Sequence, residues 1–311
     1  MKKLLILGTG GTIACTKTEH GLAPSVSVND LIKGLELSAE IHGEQLFDLD
    51  STNMTPRHWE KLARRIHERY DEFDGFVITH GTDTMAYAAA ALSCLIRNSR
   101  KPIVFTGSMK PMSAEDSDAP RNLRDSIIFA ADERAFGVRV VFCGCIFDGR
   151  CVVKVHTDSD DSFDSPNDEN YDGVSPGGNV IFGERYSGET RFYERLSDGV
   201  FHVKLIPGQE LCVPENARAL ILEGYGTGGV PDYLLEEVAR LTGRGVYVII
   251  ATQCAYGGTQ LNEYEVGRGA AERFPLPETG KMTVEYAVAK ARWALAYSDN
   301  YDDFKRLFYA E

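Results

Sequence analysis

The organisation of this chain is clearest in the segment DGFVITHGTDTM, residues 74–85. Its apolar run FVI lies between two glycines, a pattern typical of a strand that is buried on both faces in a parallel sheet. The hydroxyl of Thr82 and the carboxylate of Asp83 follow at the carboxyl end of that strand. Ligands bind at this end of open α/β sheets, where the next helix also offers free N–H groups. The segment therefore predicts part of a binding site.

A second turn of the same kind occurs near the start of the chain. The apolar run LLIL at residues 4–7 is followed by GTGGTIA at 8–14, which brings Thr12 to the end of the first predicted strand. The turn does not fit the dinucleotide-binding fingerprint, because Ile13 occupies the position of its third glycine. One such turn alone is explained more simply as a helix cap. Two threonines at two strand ends instead indicate a site for something other than a nucleotide.

The composition limits the classes of partner. The chain has 311 residues and a formal net charge of −13 at pH 7. This charge argues against nucleic acid and against an anionic membrane as a partner, and favours a neutral or zwitterionic small molecule. No apolar run approaches the roughly 20 residues that a membrane helix needs, and the run at 4–7 is too short for a signal peptide.

Neither a metal nor a cofactor is expected. The seven cysteines are odd in number and mostly lie in apolar surroundings, which indicates reduced thiols in a cytoplasm. Cys143 and Cys145 lack a second pair of ligands at zinc spacing. The acidic segment 158–172 fits a calcium loop only in part, because Phe163 stands where that loop needs a glycine.

Strand and helix patterns alternate along the chain. The pair Thr55-Pro56 predicts a helix start, and residues 85–96 are nearly all apolar or alanine, which predicts an internal helix. This alternation predicts an α/β protein with a doubly wound, mostly parallel sheet in a larger N-terminal domain. The predicted division is an N-terminal domain at 1–186, a linker at 187–209 that lacks this periodicity, and a smaller C-terminal α/β domain at 210–311.

The order and spacing of several motifs resemble the bacterial-type L-asparaginases over essentially the whole chain. The motifs are TGGTIA at 9–14, DSTNM at 50–54, THGTDTM at 79–85, TGSM at 106–109, SDAPRNL at 117–123, DGR at 148–150, KVH at 154–156 and TQC at 252–254. The TQC motif is more similar to the cytoplasmic type I branch than to the periplasmic type II branch. The resemblance implies a two-domain asparaginase-like fold, hydrolysis of L-asparagine without a cofactor, a cytoplasmic location, and a homo-oligomer, either a dimer or a tetramer.

The resemblance also implies roles for four side chains. Thr12 matches the nucleophile that attacks the side-chain amide and forms a β-aspartyl ester, which water then hydrolyses. Thr82, with Lys154 and Asp83, would activate a water molecule or relay protons. Sequence does not show which of the two threonines attacks first. From sequence alone a lone lysine is more often a solvated surface charge, and only the motif match assigns Lys154 to the site.

Other residues are candidates for holding the substrate. Asp83 is a carboxylate that can pair with the α-ammonium group of an amino acid. Ser51 and the N–H groups after Gly10 and Gly11 are expected to hold the α-carboxylate. Thr52 is a weaker candidate, because threonines in turns commonly bond only their own backbone.

Two positions depart from the family pattern. Many members carry a tyrosine on the loop after the first motif, where this chain has Leu22, which has no hydroxyl. We predict that Tyr264 replaces it, although packing at a helix start explains Tyr264 equally well.

The type I branch binds a regulatory asparagine through the TQC cysteine and a threonine just before the lysine. Cys254 is present here, but Val153 takes the place of that threonine.

Two alternatives to an asparaginase stay open at this point. One is a glutaminase or a broader amidase, including the glutaminase subunit of a tRNA-dependent amidotransferase. The other is a non-catalytic amino-acid sensor that uses the same carboxylate and amine contacts. A sensor would not need both threonines and Lys154, so their joint presence favours an enzyme. The preference between asparagine and glutamine is not readable from the sequence.

Overall fold

The computed structural model describes residues 1–19, 21–33, 39–168, 186, 188–263, 267, 269–270, 273–274 and 276–310. These residues form two compact units, Met1–Glu194 and Arg195–Glu311. The finer division into domains at 1–186 and 210–311 stays a prediction. Within the described residues, no helix is both long enough and apolar enough to cross a membrane.

The first unit is built on a six-stranded sheet. The described strands of this unit, in the sheet and outside it, are β1 (Lys3–Gly10), β2 (Cys15–Thr18), β3 (Gly21–Pro24), β4 (Glu40–Leu49), β5 (Gly75–Thr79), β6 (Ile96–Arg97), β7 (Pro102–Thr106), β8 (Gly137–Phe142), β9 (Cys145–Asp148), β10 (Val153–Lys154), β11 (Phe163–Asp164) and β12 (Arg191–Phe192). The sheet has the order β4-β1-β5-β7-β8-β9, and only β9 runs antiparallel to its neighbour. The short strands pair as β2 with β3, β10 with β11, and β6 with β12.

Helices cover both faces of this sheet. They are α1 (Val28–Leu31), α2 (Pro56–Arg69), α3 (Met85–Leu95) and α4 (Ala119–Ala131). Leu4, Ile6, Val77 and Val104 point to one face, where they pack against α1 and α4. The opposite face carries α3, which contacts β7 and β8 and is almost wholly buried. The predicted doubly wound, mostly parallel sheet and its internal helix are confirmed.

The second unit has a smaller parallel sheet. Its strands β13 (Val200–Lys204), β14 (Ala219–Gly224) and β15 (Tyr247–Thr252) lie in that order, and its helices include α5 (Leu235–Gly243), α6 (Val284–Tyr297) and α7 (Tyr301–Tyr309). Leu220, Leu222, Val248 and Ile250 pack against Val238 of α5 in its core. The predicted smaller C-terminal α/β domain is confirmed.

Two strands, β12 and β13, lie where the sequence pattern predicts a linker. Strand β13 falls within 187–209, so regular structure occurs inside the predicted linker, and the division of the chain at this segment stays a prediction. The strand is at the edge of its sheet, and His202 and Lys204 are exposed. With polar side chains on one face, this strand lacks the continuous apolar run by which buried parallel strands are recognised.

Candidate active site

Three strand ends meet at one place in the first unit. Strand β1 lies between β4 and β5, and all three are parallel, so their carboxyl ends share one edge of the sheet. A Cβ atom on Gly11 would lie 2.3 Å from the main-chain nitrogen of Gly81, and one on Gly81 would lie 2.5 Å from Ser51 Oγ. Real Cβ atoms do not approach other atoms so closely, so both positions need glycine. This contact brings Thr12, Ser51 and Thr82 into one site.

The backbone before Thr12 follows a path that glycine favours. Gly10 has φ +93° and Gly11 has φ +78°, both in the left-handed region. The N–H of Gly11 donates to the main-chain oxygen of Leu49 at 2.9 Å. The sequence predicts that this N–H group holds a substrate carboxylate, but β4 already occupies it. What Gly11 contributes is the space that lets Gly81 approach, while Thr12 begins a short helical turn and is half-buried.

Lys154 joins the second threonine to its neighbouring carboxylate. The Lys154 ammonium donates to Thr82 Oγ1 at 2.8 Å and to Asp83 Oδ1 at 2.7 Å. Thr82 is 5% exposed, whereas the side chain of Asp83 is 56% exposed. A neutral lysine amine at this distance can accept the proton of the threonine hydroxyl, and an ammonium can return it. The structure thus brings together the three residues that the motif match assigns to proton transfer.

A short antiparallel pair of strands holds Lys154 in place. Lys154 in β10 pairs with Phe163 in β11. Phe163 is 3% exposed, and its ring lies 5.0 Å from that of Phe142 and 6.5 Å from that of Phe147, measured between centroids. Buried aromatic contacts of this kind resist movement of the backbone beside the lysine.

A partly buried ion cluster fixes the turn that leads to Lys154. Asp148 accepts from Arg139 Nη1 at 3.0 Å and from Arg150 Nε at 2.9 Å. Burial alone would raise the pKa of the Asp148 carboxyl, but the two guanidinium groups outweigh it and lower that pKa to about 2. Cys151 follows in the same turn, and burial, helped by the charge of Asp148, raises the pKa of its thiol to about 12. Cys151 is therefore a thiol and not a nucleophilic thiolate at neutral pH.

Ser51 and Thr52 differ in what they offer a ligand. Ser51 is 2% exposed and lies against Gly81. Thr52 is exposed, and its N–H and hydroxyl both donate to Asp50 Oδ1, at 2.9 and 2.7 Å. The Thr52 hydroxyl thus makes the local bond that is common in such turns.

Two residues of the turn after β5 have partners that sequence reasoning missed. The Thr84 hydroxyl donates to the main-chain oxygen of Ser51 at 2.8 Å, across 33 residues of sequence. The His80 ring donates from Nδ1 to the main-chain oxygen of Gly81 at 2.7 Å. Burial lowers the pKa of His80 to about 4, so the ring is neutral at pH 7. No local sequence signal marks either contact.

The remaining candidate positions are Leu22, Tyr264, Cys254 and Val153. Leu22 lies on the ribbon of β2 and β3, opposite Lys17, and is 55% exposed. Tyr264 lies outside the described residues. Cys254 is exposed in the second unit, and Val153 belongs to the first. Among the described residues, no group of three or more histidine, cysteine, aspartate or glutamate side chains is placed to hold a metal ion.

Comparisons with known sequences point to one family. The family model described as Asparaginase, N-terminal matches residues 3–185, and that described as Glutaminase/Asparaginase C-terminal domain matches residues 209–308. An L-asparaginase from Thermococcus kodakarensis is 41% identical over 322 residues, which cover 98% of this chain and 96% of the relative. A component of the glutamyl-tRNA(Gln) amidotransferase from Pyrococcus abyssi is 32% identical over 330 residues, which cover 99% of this chain and 75% of the relative.

Solved structures give the same result. The thermostable L-asparaginase from Thermococcus kodakarensis matches with a TM-score of 0.90 at 39% identity, covering 99% of this chain and 97% of that one. A probable cytoplasmic L-asparaginase from Campylobacter jejuni matches with a TM-score of 0.83 at 25% identity over the full length of both chains. The predicted asparaginase-like fold is confirmed.

The ion cluster predicts how stability depends on pH. The lowered pKa of Asp148 means that its charge stabilises the folded chain fully above the carboxyl's ordinary pKa, and that this stabilisation is lost as the pH falls towards 2. A shift of this size corresponds to about 2 kcal/mol. In Asp148→Asn we expect a lower free energy of unfolding at pH 6 and a smaller loss between pH 5 and pH 2.5, measured by urea denaturation.

A matched control is Asp116→Asn, because Asp116 pairs with Lys110 on the surface, where solvent screens the interaction. It should follow the wild-type pH profile closely. Parallel pH profiles for Asp148→Asn and the wild type would show that the cluster does not hold the charge of Asp148.

Proposed function

The chain belongs to the asparaginase family, and we infer from its site that it hydrolyses the side-chain amide of L-asparagine to give L-aspartate and ammonia. The observation that carries this inference is the contact of the Lys154 ammonium with both Thr82 Oγ1 and Asp83 Oδ1, beside the turn that bears Thr12. A sensor that only bound an amino acid would need neither the second threonine nor a lysine on its hydroxyl. The arrangement therefore supports an enzyme.

We propose that Thr12 is the nucleophile. The Thr12 hydroxyl gives up its proton as its oxygen attacks the amide carbon, the C–N bond breaks, and the nitrogen takes up that proton and leaves as ammonia. The product is a β-aspartyl ester on Thr12, which water hydrolyses to release aspartate. Tyr264 is our candidate for polarising the Thr12 hydroxyl, since Leu22 has no group that can do so.

The second threonine serves proton transfer in this proposal. The Thr82 hydroxyl is held by Lys154, so Thr82 can pass its own proton to a neutral Lys154 amine as it takes one from the attacking water. The ammonium returns that proton when the Thr12 oxygen leaves the ester. The Asp83 carboxylate lies 2.7 Å from the lysine nitrogen, and its negative charge stabilises the ammonium that results. Thr82, Lys154 and Asp83 then act as one relay for the reaction at Thr12.

The substrate is held at both ends of its amino-acid part. Asp83 is more than half exposed and a carboxylate accepts several hydrogen bonds, so it can bind the α-ammonium group while it also accepts from Lys154. Ser51, which is buried against Gly81, is our candidate for holding the α-carboxylate. Thr52 has a lesser part, because its hydroxyl is engaged by Asp50. No cofactor takes part in this scheme.

We propose further that the protein is a cytoplasmic homo-oligomer, a dimer or a tetramer. The resemblance to the type I branch and the Campylobacter jejuni structure described as cytoplasmic support the location. The net charge of −13 supports a small molecule as the partner in preference to nucleic acid or a membrane.

The alternative within hydrolases is a glutaminase, which the similarity to the amidotransferase component from Pyrococcus abyssi supports. A site that fixes both the α-ammonium and the α-carboxylate also fixes the distance to the amide carbon. One extra methylene group moves that carbon away from the attacking hydroxyl. We therefore expect asparagine to be preferred over glutamine.

Replacing either threonine by alanine should abolish most of the activity. In Thr12→Ala and Thr82→Ala we expect kcat for L-asparagine to fall by at least about a thousandfold, in the range typical of a lost nucleophile or its activating group. Ammonia release measures the rate, and circular dichroism checks that each variant is folded. A folded variant with near-normal turnover would disprove the role assigned to its residue.

The substrate preference tests the proposed activity itself. We expect kcat/KM for L-asparagine to exceed that for L-glutamine by about tenfold or more, which is the usual range for one methylene group. Ammonia release from L-asparagine, D-asparagine and L-glutamine should be compared side by side. Equal values for the two L-amides would favour the broader amidase, and a preference for glutamine would favour the glutaminase.

A further inference from the structure

One hydrogen bond connects two turns that the sheet itself does not connect. The Thr84 hydroxyl donates to the main-chain oxygen of Ser51 at 2.8 Å. Ser51 follows β4 and Thr84 follows β5, and these strands are not neighbours, because β1 lies between them. No ladder hydrogen bond can therefore set the distance between the two turns. The Thr84 side chain does so directly.

Thr84 makes this bond instead of an ordinary local one. It is the N-cap residue of α3, where a threonine hydroxyl commonly accepts a hydrogen bond from an N–H group of its own helix. The Thr84 side chain makes no such capping bond. Its hydroxyl is directed instead to Ser51, a residue 33 positions earlier. The start of α3 thus lacks the usual side-chain capping bond, and the Thr84 hydroxyl instead links two parts of the site.

The link joins the two ends of the proposed substrate site. On one side is Ser51, which we assign to the α-carboxylate. On the other are Thr82 and Asp83, which immediately precede Thr84 in the chain. A Cβ on Gly81 would meet Ser51 Oγ at 2.5 Å, so the two turns lie close together with no room for a side chain at Gly81. The hydrogen bond from Thr84 opposes their separation.

We propose that Thr84 is a positioning residue that sets the length of substrate the site accepts, and so contributes to the choice of asparagine over glutamine. The proposal rests on the function inferred above. The Thr84 hydroxyl is bonded to a main-chain oxygen and is not assigned to the reacting atoms. Its loss should therefore weaken substrate binding and length discrimination while the proton relay of Thr82, Asp83 and Lys154 stays in place.

The turn at Ser51 does not depend on Thr84 for its own conformation. The main-chain oxygen of Ser51 also accepts from the N–H of Met54 at 3.0 Å, and Asp50 accepts from the N–H of Thr52. A variant that lacks the Thr84 hydroxyl thus keeps a folded turn that is free to shift relative to Thr82. Such a shift lengthens the site, which harms the shorter amide more than the longer one.

The test compares Thr84→Val, which keeps the shape and loses the hydroxyl, with Thr84→Ser, which keeps the hydroxyl. In Thr84→Val we expect KM for L-asparagine to rise by about tenfold, the size of one lost hydrogen bond, with kcat within about twofold of the wild type. The ratio of kcat/KM for asparagine over glutamine should fall, and Thr84→Ser should restore both values. Thr242→Val is the matched control, because the Thr242 hydroxyl on α5 also donates to a main-chain oxygen, that of Val238.

Calorimetric titration with L-aspartate, the product, gives a second measurement that needs no turnover. Its Kd should rise in Thr84→Val and return in Thr84→Ser. An unchanged KM, Kd and asparagine-to-glutamine ratio in Thr84→Val would overturn the proposal, and so would a fall in kcat alone or a failure of Thr84→Ser to restore binding.

If Thr84→Val does not fold, Thr84→Ser with wild-type discrimination and Thr84→Ala without it would support the proposal, and equal discrimination in these two would overturn it. A wild-type protein that released no ammonia from asparagine would instead refute the proposed function.

Discussion

The close approach of Gly11 and Gly81 is the constraint on which the rest of the site depends. With a Cβ at Gly11 only 2.3 Å from the nitrogen of Gly81, neither turn tolerates a side chain at its glycine. The sheet alone brings the ends of β1 and β5 side by side, but the two glycines let the turns beyond those ends touch. A threonine follows each glycine directly, so the contact between backbones becomes a pair of hydroxyl groups at one site.

Polar contacts then give the two hydroxyl groups different surroundings. Thr82 is nearly buried and bonded to Lys154, whereas Thr12 is half-buried at the start of a short helical turn. The lysine reaches Thr82 because an ion cluster around Asp148 and an aromatic cluster around Phe163 hold the strands that carry it. A relay of this kind needs its groups held at hydrogen-bond distance, and the charged and aromatic contacts behind Lys154 supply that rigidity.

The sequence predicts those features that are local. An apolar run followed by polar residues marks a strand end, so the turns that bear Thr12 and Thr82 are predictable, and the motif resemblance adds Lys154. Partners distant in sequence are not predictable: the bond from Thr84 to Ser51 and the use of the Gly11 N–H by Leu49 depend on how strands are ordered. Strand β13 is not predictable for another reason: the sequence of an edge strand with exposed polar residues has the same hydrophobic pattern as a linker.

In the proposed mechanism the two threonines work as one unit on the same amide. A double-mutant cycle tests this most directly, with kcat for L-asparagine measured by ammonia release in the wild type, Thr12→Ala, Thr82→Ala and the double variant. If the residues act together, the double variant should be little slower than the slower single variant, since either loss already disables the unit. If the two losses instead multiply, to about the product of the single effects, the threonines act independently and the mechanism is contradicted.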